Sequence, residues 1–403
     1  MHILYFHQHF STPSGATGIR SYEMAKKLLV RGHTVTMVCG SYNSARTGLT
    51  SAFTKGMRKG YVDGINVVEF ELAYSNKDGF VKRSVTFIKF ALRSMLYALR
   101  SDYDMIFATS TPLTAALPGL VGRWLKRKPF VFEVRDLWPE LPREMGVIKN
   151  PVILGLMGIL EWSAYKSAHG LIALSPGIQD GILRLGVSSS QVIVIPNGCD
   201  MPLFTEHNNL WQHDSIKPND FMAVFTGTHG VANGLQVIID AAKILKERDC
   251  DQIKFVLVGE GKLKADLKAQ AAEHKLTNIL FLDSVEKSKI SQLLSRADIG
   301  MQILANIPSF YFGTSPNKFF DYLAAGLPVL INYPGWLAEK VVQYQCGKVV
   351  EANHPAAIVD CLMELNDNRS QLLNMGQAAL KLAKAEFDRD KLSNQFVYWL
   401  EKW

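Results

Sequence analysis

The chain is poor in cysteine, and what it has follows no pattern. Cys39, Cys199, Cys250, Cys346 and Cys361 are scattered, odd in number and without a C-x-x-C spacing. That excludes a disulfide framework and a thiolate zinc site, and fits reduced, buried thiols in a cytoplasm. No apolar run reaches the ~20 residues that a spanning helix needs. The opening MHILYF is strand-like and has neither a basic leader nor a small-residue cleavage site, so no signal peptide is expected. There is no long Lys/Arg tract and no nucleic-acid-binding module, so no nucleic-acid partner is expected. The G-x-G-x-x-G dinucleotide fingerprint is also missing.

What is present is an ordinary globular composition, 48% hydrophobic and 20% charged over 403 residues, too long for one core. The net charge of +7 is uneven: residues 1–200 hold 23 Lys and Arg against 14 Asp and Glu, and residues 201–403 hold 21 against 23. The first half is therefore the one expected to face an anionic partner.

Apolar runs alternate with helical patterns in both halves. Strands are expected at His2–Phe6, Thr34–Cys39, Ile65–Phe70, Met105–Thr109, Phe130–Glu133, Gly170–Leu174 and Val192–Ile195. The second series is Met222–Thr226, Lys254–Val258, Ile279–Leu282, Ile299–Ile303, Val329–Asn332 and Lys348–Val350. This is the α/β signature of a parallel sheet with crossover helices, occurring twice. We expect one domain over 1–200 and a second over 205–385. A linker is expected at Pro196–Asp220, and the last helix, 386–403, should return to the first domain. Two doubly wound, Rossmann-like domains in series place a ligand in a cleft between them, at the carboxyl ends of the strands.

The most informative segment is TSPNKFFDYLAAGLPV, Thr314–Val329. It reads as loop, helix N-terminus, helix, glycine stop and strand. Unpaired N–H groups after Pro316 and Asn317, with Lys318 beside them, suit a phosphate. Asp321, one turn further on, is placed to accept hydrogen bonds from a ribose.

Glycine turns recur where strands meet helices: Ser11–Gly18, containing Gly15; Gly227-Thr228-His229-Gly230, followed by Asn233; and Gly259-Glu260-Gly261. The first two suit ligand approach, and His229 is either a phosphate or sugar partner or a plain loop histidine. The third is read as close to a nucleobase or ribose, or else as a simple turn. Glu133-Val134-Arg135-Asp136 ends a strand, where catalytic groups collect, with Asp136 as base or orienting group. The alternative there is a structural ion pair of Arg135 with Asp136 or Glu133. Pro196-Asn197-Gly198-Cys199-Asp200 is read as a structural turn.

Val81–Arg100 carries Lys82, Arg83, Lys89, Arg93 and Arg100 among apolar residues, with no acidic residue. That composition fits an anionic membrane surface, or else a core helix with a basic edge.

In order and spacing these elements resemble glycosyltransferase family 4, of GT-B fold, over nearly the whole chain. The resemblance rests on the Gly15 loop with Arg31-Gly32-His33, on Leu174-Ser175, on the Pro196–Asp200 turn, on TGTHG with NGL, on Val258–Gly261 and on NKFFDYLAAGLPV. Arg135–Glu140, RDLWPE, is similar to the bacterial O-antigen and capsule subgroup that includes L-fucosamine transferases. The resemblance implies two facing Rossmann-like domains and a retaining transfer without metal or other cofactor. A UDP-sugar, with an N-acetylated hexosamine or 6-deoxyhexosamine, would bind the second domain. A polyprenyl-diphosphate-linked sugar would be the acceptor, at the inner face of the cell membrane.

On that reading Asp136, Lys318 and His229 are catalytic. Gly15, Gly227, Thr228, Gly230, Asn233, Gly259, Glu260, Pro316, Asn317, Lys318 and Asp321 contact the donor, and Arg135 and Glu133 lie on the acceptor side. The chain departs from the family in three places. Gly313 and Asp321 stand where relatives carry a Glu pair, His229 and Asn233 lie where they carry Arg and Lys, and Arg135-Asp136 replaces a histidine. Lys318 is then the remaining cation for the diphosphate. A sugar-nucleotide 2-epimerase and a non-catalytic sugar-nucleotide-binding membrane scaffold are the competing readings.

Overall fold

The computed structural model describes residues 1–75, 78–205 and 211–403, and two units emerge from it. Unit 1 comprises Met1–Pro196, Phe312–Ser315 and Asp390–Trp403; unit 2 comprises Asn197–Tyr311 and Pro316–Arg389. The expected linker, Pro196–Asp220, is therefore part of unit 2 from Asn197 onward, and its residues 206–210 lie outside the described residues.

Unit 1 is built on an eight-stranded sheet in the order Met57–Val62, Ile65–Tyr74, Thr34–Tyr42, His2–Phe6, Met105–Thr109, Phe130–Val134, Gly170–Ala173, Val192–Val194. All neighbours run parallel except the first pair, an antiparallel hairpin turning at Asp63-Gly64. Both turn residues have positive φ, 50° and 86°, the conformation that Asp-Gly adopts between hairpin strands. The strand Met57–Val62 is absent from the expectations because its Arg58-Lys59-Gly60 core reads as polar loop.

The central strands are buried on both faces, so they read as continuous apolar runs. The last helix, Arg389–Leu400, belongs to unit 1 from Asp390 onward: Phe396 meets Phe107 edge-to-face at 5.0 Å, and Glu401 takes Arg31 and His33 at 3.0 Å each. The Arg31-Gly32-His33 turn thus anchors the C-terminus.

Unit 2 has a wholly parallel six-stranded sheet, ordered Ile279–Leu282, Ile253–Val258, Phe221–Thr226, Ile299–Gln302, Val329–Ile331, Gly347–Val349. The strand order reverses direction between Phe221–Thr226 and Ile299–Gln302, and in unit 1 between His2–Phe6 and Met105–Thr109. In open parallel sheets ligands bind just beyond the carboxyl ends at such a reversal.

Candidate functional site

In unit 2 the chain leaves strand Phe221–Thr226 through Gly227-Thr228-His229-Gly230 and a short turn, Val231–Asn233. Gly234 then closes the loop with φ +56°, and a Cβ there would lie 2.8 Å from Ala305 Cα. The Ala305 N–H donates to Ala232 O at 2.9 Å, which ties this loop to the one that follows Ile299–Gln302. The two loops flanking the sheet reversal are thereby joined.

Against them stands helix Asn317–Ala324, whose N-terminus, after Pro316, has no side-chain cap. Tyr322 fixes its register: the Thr226 N–H donates to the phenol oxygen at 2.9 Å. One turn earlier, Lys318 is consequently aimed at the glycine loop. Its Nζ donates to Asn233 Oδ1 at 2.8 Å and lies 3.9 Å over the Phe225 ring centre. Asn233 in turn donates to Thr228 O at 2.7 Å. Gly227, Thr228, Gly230, Asn233 and Lys318 are therefore one cluster, with Pro316 and Asn317 opening the helix beside it.

No carboxylate among the described residues pairs with the Lys318 ammonium, and burial lowers its pKa to about 7. A half-neutral lysine beside a glycine loop and an uncapped helix start is a site that an anion would complete.

Three donor-side assignments change. His229 is fully buried, with its ring beside Phe225 and Phe281, and burial lowers its pKa to about 4. It is a neutral packing residue whose backbone holds the loop, through Glu260 O and the Leu263 N–H, and it supplies no cation.

Asp321 turns away into an ion network within unit 2. Lys287 approaches it at 3.1 Å and also binds Asp200, which takes Arg389 Nε at 2.7 Å. Burial raises its pKa, and Lys287 offsets this in part, so its carboxylate is engaged within unit 2.

Gly259 has a packing reason of its own: at φ +148°, a Cβ there would lie 1.9 Å from Gly227 O. The Gly259 turn supports the Gly227 loop, and the Glu260 carboxylate pairs with Lys264 at 2.9 Å.

The network explains the turn at Asp200. Burial opposes the Asp200 charge, but Arg389 and Lys287 hold its pKa below the ordinary 3.8. A folded-state pKa below the unfolded one adds stability above the unfolded value and loses it as pH falls. Asp200→Asn should cost about 3 to 5 kcal/mol near neutrality, because two buried cations lose a shared partner. The same variant should flatten the fall in melting temperature below about pH 4. Thermal unfolding of wild type and variant from pH 3 to 7 measures both.

In unit 1, Glu133 is fully buried and takes Arg20 at 2.8 Å and Thr109 Oγ1 at 2.7 Å. Arg20 also donates to Ile195 O and Pro196 O. Burial opposes the Glu133 charge, yet Arg20 and Arg135 lower its pKa. Glu133 is thus a sealed structural ion with Arg20, not Arg135, as its partner, and it is not an acceptor group. Gly15 is likewise buried, and a Cβ there would lie 2.2 Å from Ser11 Oγ. It packs closely within its own loop.

Arg135 and Asp136 differ from these two. Both are half-buried past the end of Phe130–Val134, one strand from the reversal, with Asp136 accepting from Thr111 Oγ1 at 2.9 Å and Arg135 Nη1 lying 3.3 Å from His7 Nε2. Burial raises the Asp136 pKa, partly offset by Thr111 and Arg135. Burial and Arg135 push His7 well below its usual value, so it is neutral. His7 and Thr111 were missed, although polar residues at the ends of the two central strands are the signal that finds them. Beside the Gly15 loop, unit 1 also holds a cavity of about 500 Å³ lined by Ser14, Tyr42, Arg46, Thr50, Phe53 and Arg58.

Two family models match. "Glycosyl transferase 4-like domain" matches residues 15–198 and "Glycosyl transferases group 1" matches residues 209–382. The chain is 24% identical over 206 residues to the D-inositol 3-phosphate glycosyltransferase of Pseudarthrobacter chlorophenolicus, covering 49% of this chain and 47% of that one. It is 22% identical to the putative colanic acid biosynthesis glycosyl transferase WcaI of Escherichia coli, covering 77% and 78%. The matched stretch spans about half the length of the first of these relatives. In fold it matches the Anabaena HepE structure in complex with UDP and glucose, with a TM-score of 0.71, 19% identity and full coverage of both chains.

Proposed function

The chain belongs to the family 4 glycosyltransferases of GT-B fold, and on that premise we propose that it is a retaining sugar transferase of bacterial surface-polysaccharide synthesis. It moves an N-acetylated hexosamine or 6-deoxyhexosamine from a UDP donor to a polyprenyl-diphosphate-linked acceptor. The carrying observation is Lys318, a half-buried ammonium without a carboxylate, aimed at the Gly227 loop beside an uncapped helix start. A nucleoside diphosphate is the anion that such a site fits. The UDP in the HepE structure and the colanic acid role in the name of WcaI support the donor and the pathway class.

Unit 2 binds the donor. Charge that develops on the leaving diphosphate meets Lys318, the Gly227 loop and the helix dipole, so the reading needs no metal. Unit 1 carries the acceptor-side groups, Arg135 and Asp136, and its cavity. Its basic helix, Phe80–Arg100, holds it at the anionic inner face of the membrane.

The test is incubation with UDP-, GDP- and dTDP-sugars, with and without a polyprenyl-diphosphate-linked sugar. Acceptor-dependent UDP release with sugar on the lipid is expected. Epimerisation of UDP-HexNAc without acceptor would make the protein a 2-epimerase. UDP binding without transfer to any lipid extract would make it a scaffold, and preference for a GDP- or dTDP-sugar would overturn the donor.

A further inference from the structure

Helix Pro151–Ser167 has no charged residue from Pro151 to Leu160, PVILGLMGIL, yet that half is not buried. Val152 is 68% exposed, Leu156 63%, Ile159 64% and Trp162 52%. Exposure spans a broad face: Pro151, Val152, Ile153, Gly155 and Leu156 are exposed, while Leu154, Met157 and Gly158 on the other side are half-buried. A Cβ at Gly155 or Gly158 would meet nothing within 4 Å.

Two neighbouring helices continue this surface. Helix Leu117–Leu125 packs between Pro151–Ser167 and the basic helix Phe80–Arg100, and Trp124 Nε1 donates to Ser167 Oγ at 3.0 Å. Its own Trp124 and Leu125 point outward. On the basic helix Val85, Ile88, Leu92, Leu96 and Leu99 are all exposed, while Thr86, Phe90, Ala91, Ser94 and Ala98 face inward. The outward stripe has the spacing that usually marks the core side of a helix.

We propose that unit 1 inserts this three-helix face into an anionic bilayer, with the neutral half of Pro151–Ser167 reaching below the headgroups and the basic helix lying along them. Charge complementarity selects the occupant. Lys82, Lys89, Arg100, Arg127 and Lys128 fringe the face, and helices Phe80–Arg100 and Leu117–Leu125 contain no acidic residue. At 1.5 Å per residue the ten neutral residues extend about 15 Å, half of a hydrocarbon core, so they enter the bilayer without crossing it. The inference deepens the membrane part of the proposed function and does not depend on the transfer reaction.

The test is sedimentation with vesicles of phosphatidylcholine, alone or with phosphatidylglycerol, at low salt and at about 1 M salt, where exposed charges are screened. Wild type is expected to bind anionic vesicles and to keep a salt-resistant fraction. Leu156→Glu with Ile159→Glu alters exposed positions and should leave the melting temperature unchanged. It should lower the high-salt partition coefficient on the order of a hundredfold. Lys89→Gln with Arg100→Gln should lower only the low-salt binding.

Complete release of wild type by salt, or an unchanged Leu156→Glu/Ile159→Glu variant, overturns the insertion. So does a wild-type dimer in solution that this variant dissociates, since the face would then join two copies of the chain. Transfer to a detergent-solubilised acceptor, measured in parallel, separates the two readings. Vesicle binding without transfer would sink the transferase and leave the insertion standing.

Discussion

Lys318→Ala is expected to lower kcat/KM for sugar transfer on the order of a thousandfold and to weaken UDP binding with it. The ammonium is the one cation aimed at the Gly227 loop among the described residues, and its charge is met only by Asn233 Oδ1 and the face of Phe225. Losing one preorganised group opposite developing charge typically costs 10²- to 10³-fold, and here ground-state binding of the diphosphate is lost as well. A second signature is independent of turnover. With a pKa of about 7 in the free protein, Lys318 is about half protonated at pH 7, and a bound diphosphate restores the full charge. UDP binding should therefore take up about half a proton at pH 7, and affinity should fall by up to tenfold per unit above it. Calorimetry in buffers of different ionisation heat reads this directly, and the uptake should vanish in Lys318→Ala.

The lysine also has a folding cost. Its folded pKa lies below the unfolded 10.5, so the penalty for charging it is full below about pH 7 and fades towards 10.5. Lys318→Met should melt a few degrees higher at pH 6 while being inactive, the trade expected where a site is kept strained for function. Wild-type turnover in Lys318→Ala, or UDP binding without proton uptake, would remove Lys318 from the diphosphate site.

What the sequence displayed and what it hid divide along the range of the interactions. The alternating strands and crossover helices are local periodicities, and the two sheets follow from them. The Gly227 loop and Lys318 were legible because a glycine turn after a strand and a cation at a helix start each declare themselves within a few residues. The fate of Asp321 was not legible. Its partner Lys287 is thirty-four positions away, and Asp200 and Arg389 complete the network from opposite ends of unit 2. Glu133 met the same obstacle, because Arg20 lies 113 residues distant.

His229 misled for a different reason. A histidine in a glycine loop reads as exposed, but its ring lies beside Phe225 and Phe281 and is buried. The hairpin strand Met57–Val62 was legible in principle, since Asp63-Gly64 between two alternating runs is a strong turn signal. Pro151–Leu160 was overlooked because an uncharged apolar run reads as core until the fold leaves it outside.

Asp136→Asn is expected to reduce kcat by 10²- to 10⁴-fold, the range for a positioned acid–base group, while leaving the fold intact. The asparagine keeps an oxygen for the Thr111 hydroxyl, which donates to the carboxylate at 2.9 Å. On the proposed reading the carboxylate must be ionised to receive a proton from the acceptor hydroxyl or to orient it. Its pKa is raised above 3.8 by burial, so activity should fall as pH drops through a value higher than that of an ordinary aspartate. The Thr111 hydrogen bond favours the ionised form. Thr111→Val should therefore raise the pKa further and move the acid limb of the kcat profile upward, while activity above the limb changes little. A structural role for Asp136 makes the opposite forecast: Thr111→Val would depress activity at every pH and leave the limb in place. Arg135 sharpens the distinction, because its charge also lowers the Asp136 pKa. Arg135→Gln should move the acid limb in the same direction as Thr111→Val, so an unmoved limb in both variants would take Asp136 out of the reaction.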